Sequence, residues 1–400
     1  LTALTASHEV SRSQGERRMA EIKPFEVSWS PGEIGAVLDR VRDYPWPPAP
    51  DVPDGWSYGC DGAYLRDFCR YWMEDYDWRA AMADLNRFPQ FTAQVEDYDI
   101  HFIHVVGEAA GARPLIVTHG WPGSHYEFWG AIEKLAFPSK FGGKASDAFD
   151  VVVPSLPGFG FSSKPKRPIG QKTTARLFDK LMTEVLGYKS YLAQGGDWGA
   201  MVTSWLARDH GANVRAIHLN MLGFRPSDGP KTPEEAAWAE RQLAAANVMG
   251  AYLRLQMSKP QSIAWMAAGN PVGQAAWILE RFHDWSDLSK KSLDEAYGKD
   301  KLITNIMIYV MTDSFTTGAW YYRGLPEEGG LAFKPGERLE TPTAFANFPG
   351  EPLYQAPPRS FAERAYNVVR WTDMPRGGHF AAMEEPDLYV AEVRDWARSV

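Results

Sequence analysis

Cysteine is almost absent: Cys60 and Cys69 are the only two among 400 residues. They exclude a disulfide framework, and their spacing matches no metal-ligand pattern, which fits a reducing cytoplasm. An excess of basic residues is lacking too. Lys and Arg total 42 against 50 Asp and Glu, and the net charge of -8 argues against a nucleic-acid binder. The opening stretch, Leu1–Arg18, is polar and mixed in charge. With no long apolar run it offers neither a transmembrane anchor nor a secretory signal, and residues 1–21 read as a flexible tail. No internal repeat is visible. What the chain does hold is aromatic residues: 16 Trp, 17 Tyr and 20 Phe suit a wide apolar pocket as well as a core.

Residues 22–99 are rich in Pro and Trp, and periodicity predicts short helices near Ile34–Val41 and Ala63–Met73. An alternating β/α pattern follows over residues 100–225. Its strands are expected at Ile100–Val106, Pro114–Thr118, Phe149–Pro154 and Val214–Leu219, with a helix at Thr173–Leu186. Over residues 226–335 the pattern turns helical, at Pro233–Gln256, Ile263–Ala268, Ala275–Trp285 and Leu302–Thr312. Strands return over residues 336–400, at Thr343–Phe348 and Asn367–Trp371, before a last helix from Pro386 toward Arg398. This order predicts an α/β fold with a mostly parallel, doubly wound sheet whose site lies at the carboxyl ends of its strands. The helical block is expected to cap that site.

The chemistry centres on Tyr191-Leu192-Ala193-Gln194-Gly195-Gly196-Asp197-Trp198-Gly199. An apolar strand runs through a small-x-Asp-x-small turn into a helix-like run, the layout of a nucleophile elbow. Serine is the usual residue at the centre, and here it is Asp197. A carboxylate is ionised near neutral pH and attacks a saturated carbon directly, leaving an alkyl ester whose carbonyl carbon water later attacks. The same attack by serine would leave an ether. Asp197 therefore points to hydrolytic opening of a bond from saturated carbon to an epoxide oxygen or a halide.

Two further pieces fall in the order such a fold requires. His119-Gly120-Trp121-Pro122-Gly123-Ser124 follows the Pro114–Thr118 strand, and Ser124 is expected to cap the next helix. Backbone N–H groups of Trp121 and Trp198 would form an oxyanion hole, with His119 a structural hydrogen-bonding residue. Of nine histidines, His379 is the only one after the final strand, in Gly377-Gly378-His379-Phe380-Ala381-Ala382, and is read as the base. Its orienting acid is expected at Glu351, in Phe348-Pro349-Gly350-Glu351. Asn220 carries no charge, and Asp373 lies too close to His379 in sequence to turn back onto it.

These motifs, with Tyr76-Asp77-Trp78-Arg79, resemble the microsomal-type epoxide hydrolases over nearly all of Ile22–Val400. The resemblance implies the α/β-hydrolase fold with an inserted helical cap and an N-terminal Pro/Trp-rich meander. It also implies two cap tyrosines that hold the epoxide oxygen, matching Tyr252 in Ala251-Tyr252-Leu253-Arg254 and Tyr322 in Trp320-Tyr321-Tyr322-Arg323, with Tyr321 an adjacent competitor. Tyrosine suits the role because its phenol stays protonated to about pH 10. A soluble, unanchored, cytoplasmic enzyme is implied, with no metal or organic cofactor. The expected partners are water and a bulky apolar or aryl epoxide, bound beside Trp121 and Trp198. That epoxide is a xenobiotic or a biosynthetic intermediate, and the oligomeric state stays open, a homodimer included. A haloalkane dehalogenase shares the Asp nucleophile with Trp after it, but the cap tyrosines favour the epoxide. A non-catalytic ligand-binding protein would not need the full Asp, His and Glu set.

Overall fold

Short runs of Val, Ile and Leu, bounded by turns, set the strands of the computed structural model, which describes residues 21–400. The tail expected over residues 1–21 lies, apart from Glu21, outside the described residues. The strands are β1 (Ile22–Phe25), β2 (Gln90–Val95), β3 (Tyr98–Val105), β4 (Arg113–Thr118), β5 (Phe149–Pro154), β6 (Tyr191–Gly195), β7 (Val214–Leu219), β8 (Arg225–Pro226), β9 (Ala332–Phe333), β10 (Leu339–Asn347) and β11 (Tyr366–Asp373). Nine of them form one sheet in the order β1-β2-β3-β5-β4-β6-β7-β10-β11. The first three pairings are antiparallel and the rest parallel. Its central strands are covered on both faces: Leu115, Ile116 and Val117 of β4 and Val151, Val152 and Val153 of β5 are fully buried.

Residues 22–99 do more than wander over the surface. They give the sheet β1 and β2, and they fold into α1 (Pro31–Arg42), α2 (Gly62–Glu74) and α3 (Trp78–Leu85). The capping chemistry is explicit. Ser30 and Glu33 form a capping box on α1, while the Asp61 and Asp77 carboxylates accept the first N–H groups of α2 and α3, each cap stabilising by about 1 kcal/mol. The Tyr-Asp-Trp-Arg motif is thus a helix start.

The sheet is flanked by α4 (Trp129–Ala136), α5 (Gln171–Lys180) and α6 (Trp198–Asp209). The helix expected at Thr173–Leu186 narrows to α5 and then widens into a π turn over Leu181–Val185, where the Leu186 N–H reaches back to the Leu181 carbonyl. After β7 the chain passes through β8 into seven helices and returns through β9, which pairs with β8 and ties both ends of the insertion together. These are α7 (Pro233–Met249), α8 (Ala251–Ser258), α9 (Pro260–Ala267), α10 (Pro271–Trp285), α11 (Leu293–Tyr297), α12 (Lys299–Thr312) and α13 (Phe315–Glu327). The single helix expected over Pro233–Gln256 breaks at Gly250, whose N–H caps α7 on the Ala246 carbonyl. Helix α13 was not expected. Gly318 and Gly324 interrupt its sequence pattern, yet a Cβ on Gly324 would fall 2.1 Å from the Ile169 carbonyl oxygen, so the glycine is what lets the helix pack. Helices α14 (Arg359–Glu363), α15 (Ala381–Glu384) and α16 (Pro386–Arg398) complete the fold.

Three tyrosines fasten the N-terminal segment to this insertion. Tyr64 donates to Asp294 at 2.6 Å and Tyr71 to Asp300 at 3.0 Å, while Tyr76 pairs with Thr304 at 3.0 Å. Trp56 stacks flat on His283 of α10, ring centroids 3.9 Å apart.

Candidate active site

Strand β6 ends in the centre of the sheet, and the turn into α6 holds Asp197 at φ 47°, ψ -129°. Such a left-handed angle is unfavourable for a residue with a Cβ, on the order of 1–3 kcal/mol, and persists only where the surroundings enforce it. Its neighbours do. A Cβ on Gly195 would lie 2.2 Å from the Gly199 backbone, and one on Gly199 only 1.9 Å from the Thr118 carbonyl oxygen. The elbow closes only with glycine at both places.

The loop after β4 meets the carboxylate from one side. The Trp121 N–H donates to Asp197 Oδ1 at 2.8 Å. Gly120 permits that approach, since a Cβ there would sit 2.2 Å from the same oxygen. Asp197 makes no side-chain bond to the N–H groups that open α6, so of the two expected donors Trp121 engages the carboxylate and Trp198 does not. The Trp121–Pro122 peptide is cis. Ser124 caps a single turn over His125–Phe128 that leads into α4. Both nitrogens of His119 are engaged, Nδ1 on the Gly120 carbonyl at 3.0 Å and Nε2 by the Leu156 N–H at 3.0 Å. Burial pushes its imidazole down to about 4, which keeps it neutral.

From the other side comes His379. Its Nδ1 is hydrogen-bonded to Glu351 Oε2, and its Nε2 stands 3.3 Å from Asp197 Oδ2 without hydrogen-bond alignment. Glu351 is fixed in turn, accepting the Leu353 and Tyr354 N–H groups at 3.0 and 2.9 Å. The Glu351 and His379 loops are tied directly, Gly350 N–H to Gly377 O at 2.8 Å. Burial alone would lower the His379 imidazole, but Glu351 and Asp197 outweigh it and hold it well above its ordinary value. The other acid positions weighed in the sequence are engaged elsewhere: Asn220 accepts from Gln194 and Asp373 from Asn347.

The cap closes over Asp197 with aromatic rings. Trp121 and Tyr252 are stacked at 5.5 Å, and Tyr322 meets Trp198 edge-on at 4.5 Å. Tyr252 and Tyr322 lie edge to face at 5.9 Å. Burial, with Asp197 among the nearby charges, holds both phenols well above their usual value, so they remain protonated donors. The Tyr322 hydroxyl is buried without a hydrogen-bond partner, whereas that of Tyr321 donates to Thr174 at 2.7 Å.

Three further polar side chains here are not among the residues that the sequence singled out. Tyr354 pairs its hydroxyl with Tyr252 at 3.1 Å. Glu384 accepts the N–H groups of Asp287, Gly378 and Phe380 and so shapes the His379 loop; burial raises it to about 7. Glu127 lines the same cavity as Asp197 and His379. Its nearness to the His-Gly-Trp-Pro loop was the one available hint.

A carboxylate at a strained elbow, with a His–Glu pair behind it and two cap phenols before it, belongs to a hydrolase of the α/β fold. Residues 22–128 match the family model described as the epoxide hydrolase N terminus, and residues 113–247 that of the alpha/beta hydrolase fold. The chain belongs to the epoxide hydrolase family and is a hydrolase of epoxides. It is 40% identical over 385 residues to a Stigmatella aurantiaca protein, covering 95% of this chain and 85% of that one. To epoxide hydrolase 1 of Oryctolagus cuniculus it is 34% identical, over 93% of this chain and 88% of that protein. The crystal structure of juvenile hormone epoxide hydrolase from the silkworm Bombyx mori superposes with a TM-score of 0.84 at 27% identity, covering 95% of each chain. Among the described residues no helix is long and apolar enough to cross a membrane.

Proposed function

We propose that the enzyme opens bulky apolar or aryl epoxides in two steps, with Asp197 as nucleophile and His379, oriented by Glu351, as base. Asp197 Oδ2 attacks a ring carbon, the carbon–oxygen bond breaks, and Tyr252 or Tyr322 gives its proton to the departing oxygen. Oδ1 becomes the ester carbonyl oxygen. It already faces the Trp121 N–H, so charge developing on it in the second step meets a donor in place, joined by the Trp198 N–H at the head of α6. His379 then takes a proton from water. The resulting hydroxide adds to the ester carbon, the bond to Oδ2 breaks, and His379 returns the proton to the diol oxygen.

The observation that carries this reading is the position of His379 between two carboxylates. Alkylation converts Asp197 into a neutral ester and removes one of the charges that hold the imidazole protonated. The proton it gives up restores the tyrosine, and a base is free when the ester needs water. The rings of Trp121, Trp198, Tyr252 and Tyr322 support an apolar, preferably aryl, substrate. Residence in the cytoplasm is supported by the unpaired Cys60 and Cys69.

The test is a single turnover in heavy-oxygen water with enzyme in excess over styrene oxide. We expect the label in the peptide spanning Gln194 to Gly199 and little in the first diol. Label in the diol alone would remove Asp197 as nucleophile.

A further inference from the structure

A small cavity lies against Asp197 and His379 with no cap residue in its wall; Gln194, Asn220, Phe128, Ala382 and Glu127 help close it. The space open to the centre of a water molecule is ≈ 10 Å³, about the room one water needs. His379 belongs to this wall, and its Nε2 is buried and without a hydrogen-bond partner. Farther out is a second cavity of ≈ 230 Å³, whose lining includes Asp84, Arg87 and Lys301. Arg87 and Lys301 are exposed, so this outer cavity reaches toward bulk solvent. Glu127 and Ala382 line both spaces and stand between them.

Glu127 is an unusual residue to find there. Burial pushes its carboxyl up to about 8, and His379 and Asp197 are among the charges that act on it; no Lys or Arg is. A structural glutamate would be expected to sit on a cation, whereas Glu127 has the Gly120 backbone N–H beside its carboxyl. The neighbouring loop instead makes room for it: a Cβ on Gly123 would fall 1.5 Å from Glu127 Oε1. A carboxyl kept at such cost beside the reacting groups, in a space sized for one water, has the character of a functional group.

We propose that Glu127 is a positioning residue for the second step: it accepts one O–H of the hydrolytic water while His379 Nε2 takes the other proton, and that water arrives from the outer cavity rather than past Tyr252 and Tyr322. No atom beyond those of the hydrolysis is involved. One water proton moves to His379, the second stays on the attacking oxygen, and Glu127 ends as it began. The inference rests on the two-step reading above.

The experiment follows both steps in one mixing, with styrene oxide as probe: alkylation by tryptophan fluorescence, and the ester by intact mass after quenching. In Glu127→Gln we expect alkylation within about twofold of wild type and ester hydrolysis slowed roughly tenfold or more. The ester should accumulate, and kcat and KM should fall together because kcat/KM follows alkylation. Glu127→Leu, which has no acceptor, should be slower still. Ala382→Val, which narrows the same partition without touching the carboxyl, should slow hydrolysis and spare alkylation, and serves if Glu127 variants fold poorly. Hydrolysis at the wild-type rate in Glu127→Gln, or equal losses in both steps, would overturn the proposal. Absence of any ester in wild type would instead overturn the two-step reading and this inference with it.

Discussion

Tyr321 and Tyr322, adjacent in the chain, serve different parts of the molecule: the first hydroxyl is spent on Thr174, and the second is left free over Trp198. Tyr321→Phe should therefore leave alkylation near the wild-type rate and lower stability by about 1 kcal/mol. Stopped-flow fluorescence and urea unfolding would separate the two effects.

Tyr252→Phe and Tyr322→Phe should each slow ring opening, because one donor remains. The double variant should lose most activity, with a few kcal/mol added to the barrier. Normal alkylation in the double variant would exclude the phenols as oxygen donors.

His379→Gln should stop after one turnover. Attack by Asp197 needs no base, so intact mass should show an adduct on nearly every chain. Glu351→Gln keeps an acceptor for the Leu353 and Tyr354 N–H groups but loses the charge behind the imidazole. Ester hydrolysis in it should fall on the order of 10³–10⁴-fold, as for a triad whose acid is neutralised.

Gly120→Ala and Gly199→Ala should fail differently. The added methyl at residue 120 meets Asp197 from Oδ1 at 2.2 Å down to Cβ at 2.3 Å, so the nucleophile is displaced from the Trp121 N–H, and the protein should alkylate poorly and be at least about 1–3 kcal/mol less stable. At residue 199 it meets the Thr118 backbone, which cannot move. Circular dichroism and solubility should show little folded Gly199→Ala protein.

Acid should expose the buried imidazoles. His101 is lowered by burial to about 3, His119 to about 4 and His125 well below its ordinary value. The unfolded chain binds their protons below about pH 6.5 and the native state does not, so their contribution is present above that pH and lost as pH falls through the native values. Glu127 and Glu384, raised to about 8 and 7, act in the opposite sense between about pH 4.5 and those values and offset part of the slope. His101→Gln should flatten the fall in stability by about 1.4 kcal/mol per pH unit between pH 6 and 4, measured by urea unfolding.

The sheet and its elbow were legible because their constraints are local. Apolar runs of strand length mark β4 to β7, and only glycine tolerates the contacts made at residues 195 and 199. Chain order was enough to single out His379 and Glu351, which do lie together. What stayed hidden depends on distant partners. Pro24 disguises β1, which sits at the sheet edge where proline is tolerated. Glycines that read as helix breakers in α13 are contacts with Ile169 and with Trp121 and Phe159. Tyr354, Glu384 and Glu127 acquire their meaning only when loops far apart in sequence meet at the site.

The three phenol bonds from Tyr64, Tyr71 and Tyr76 to α11 and α12 act as a gauge block. The segment that makes them holds none of the reacting groups, yet it sets how firmly the lid bearing Tyr252 and Tyr322 is seated above Asp197. A lid that rattles must spend part of each encounter out of register with the ring oxygen. Replacing Tyr64, Tyr71 and Tyr76 together by Phe is therefore expected to blur the choice between one face of an epoxide and the other, with every reacting group left in place.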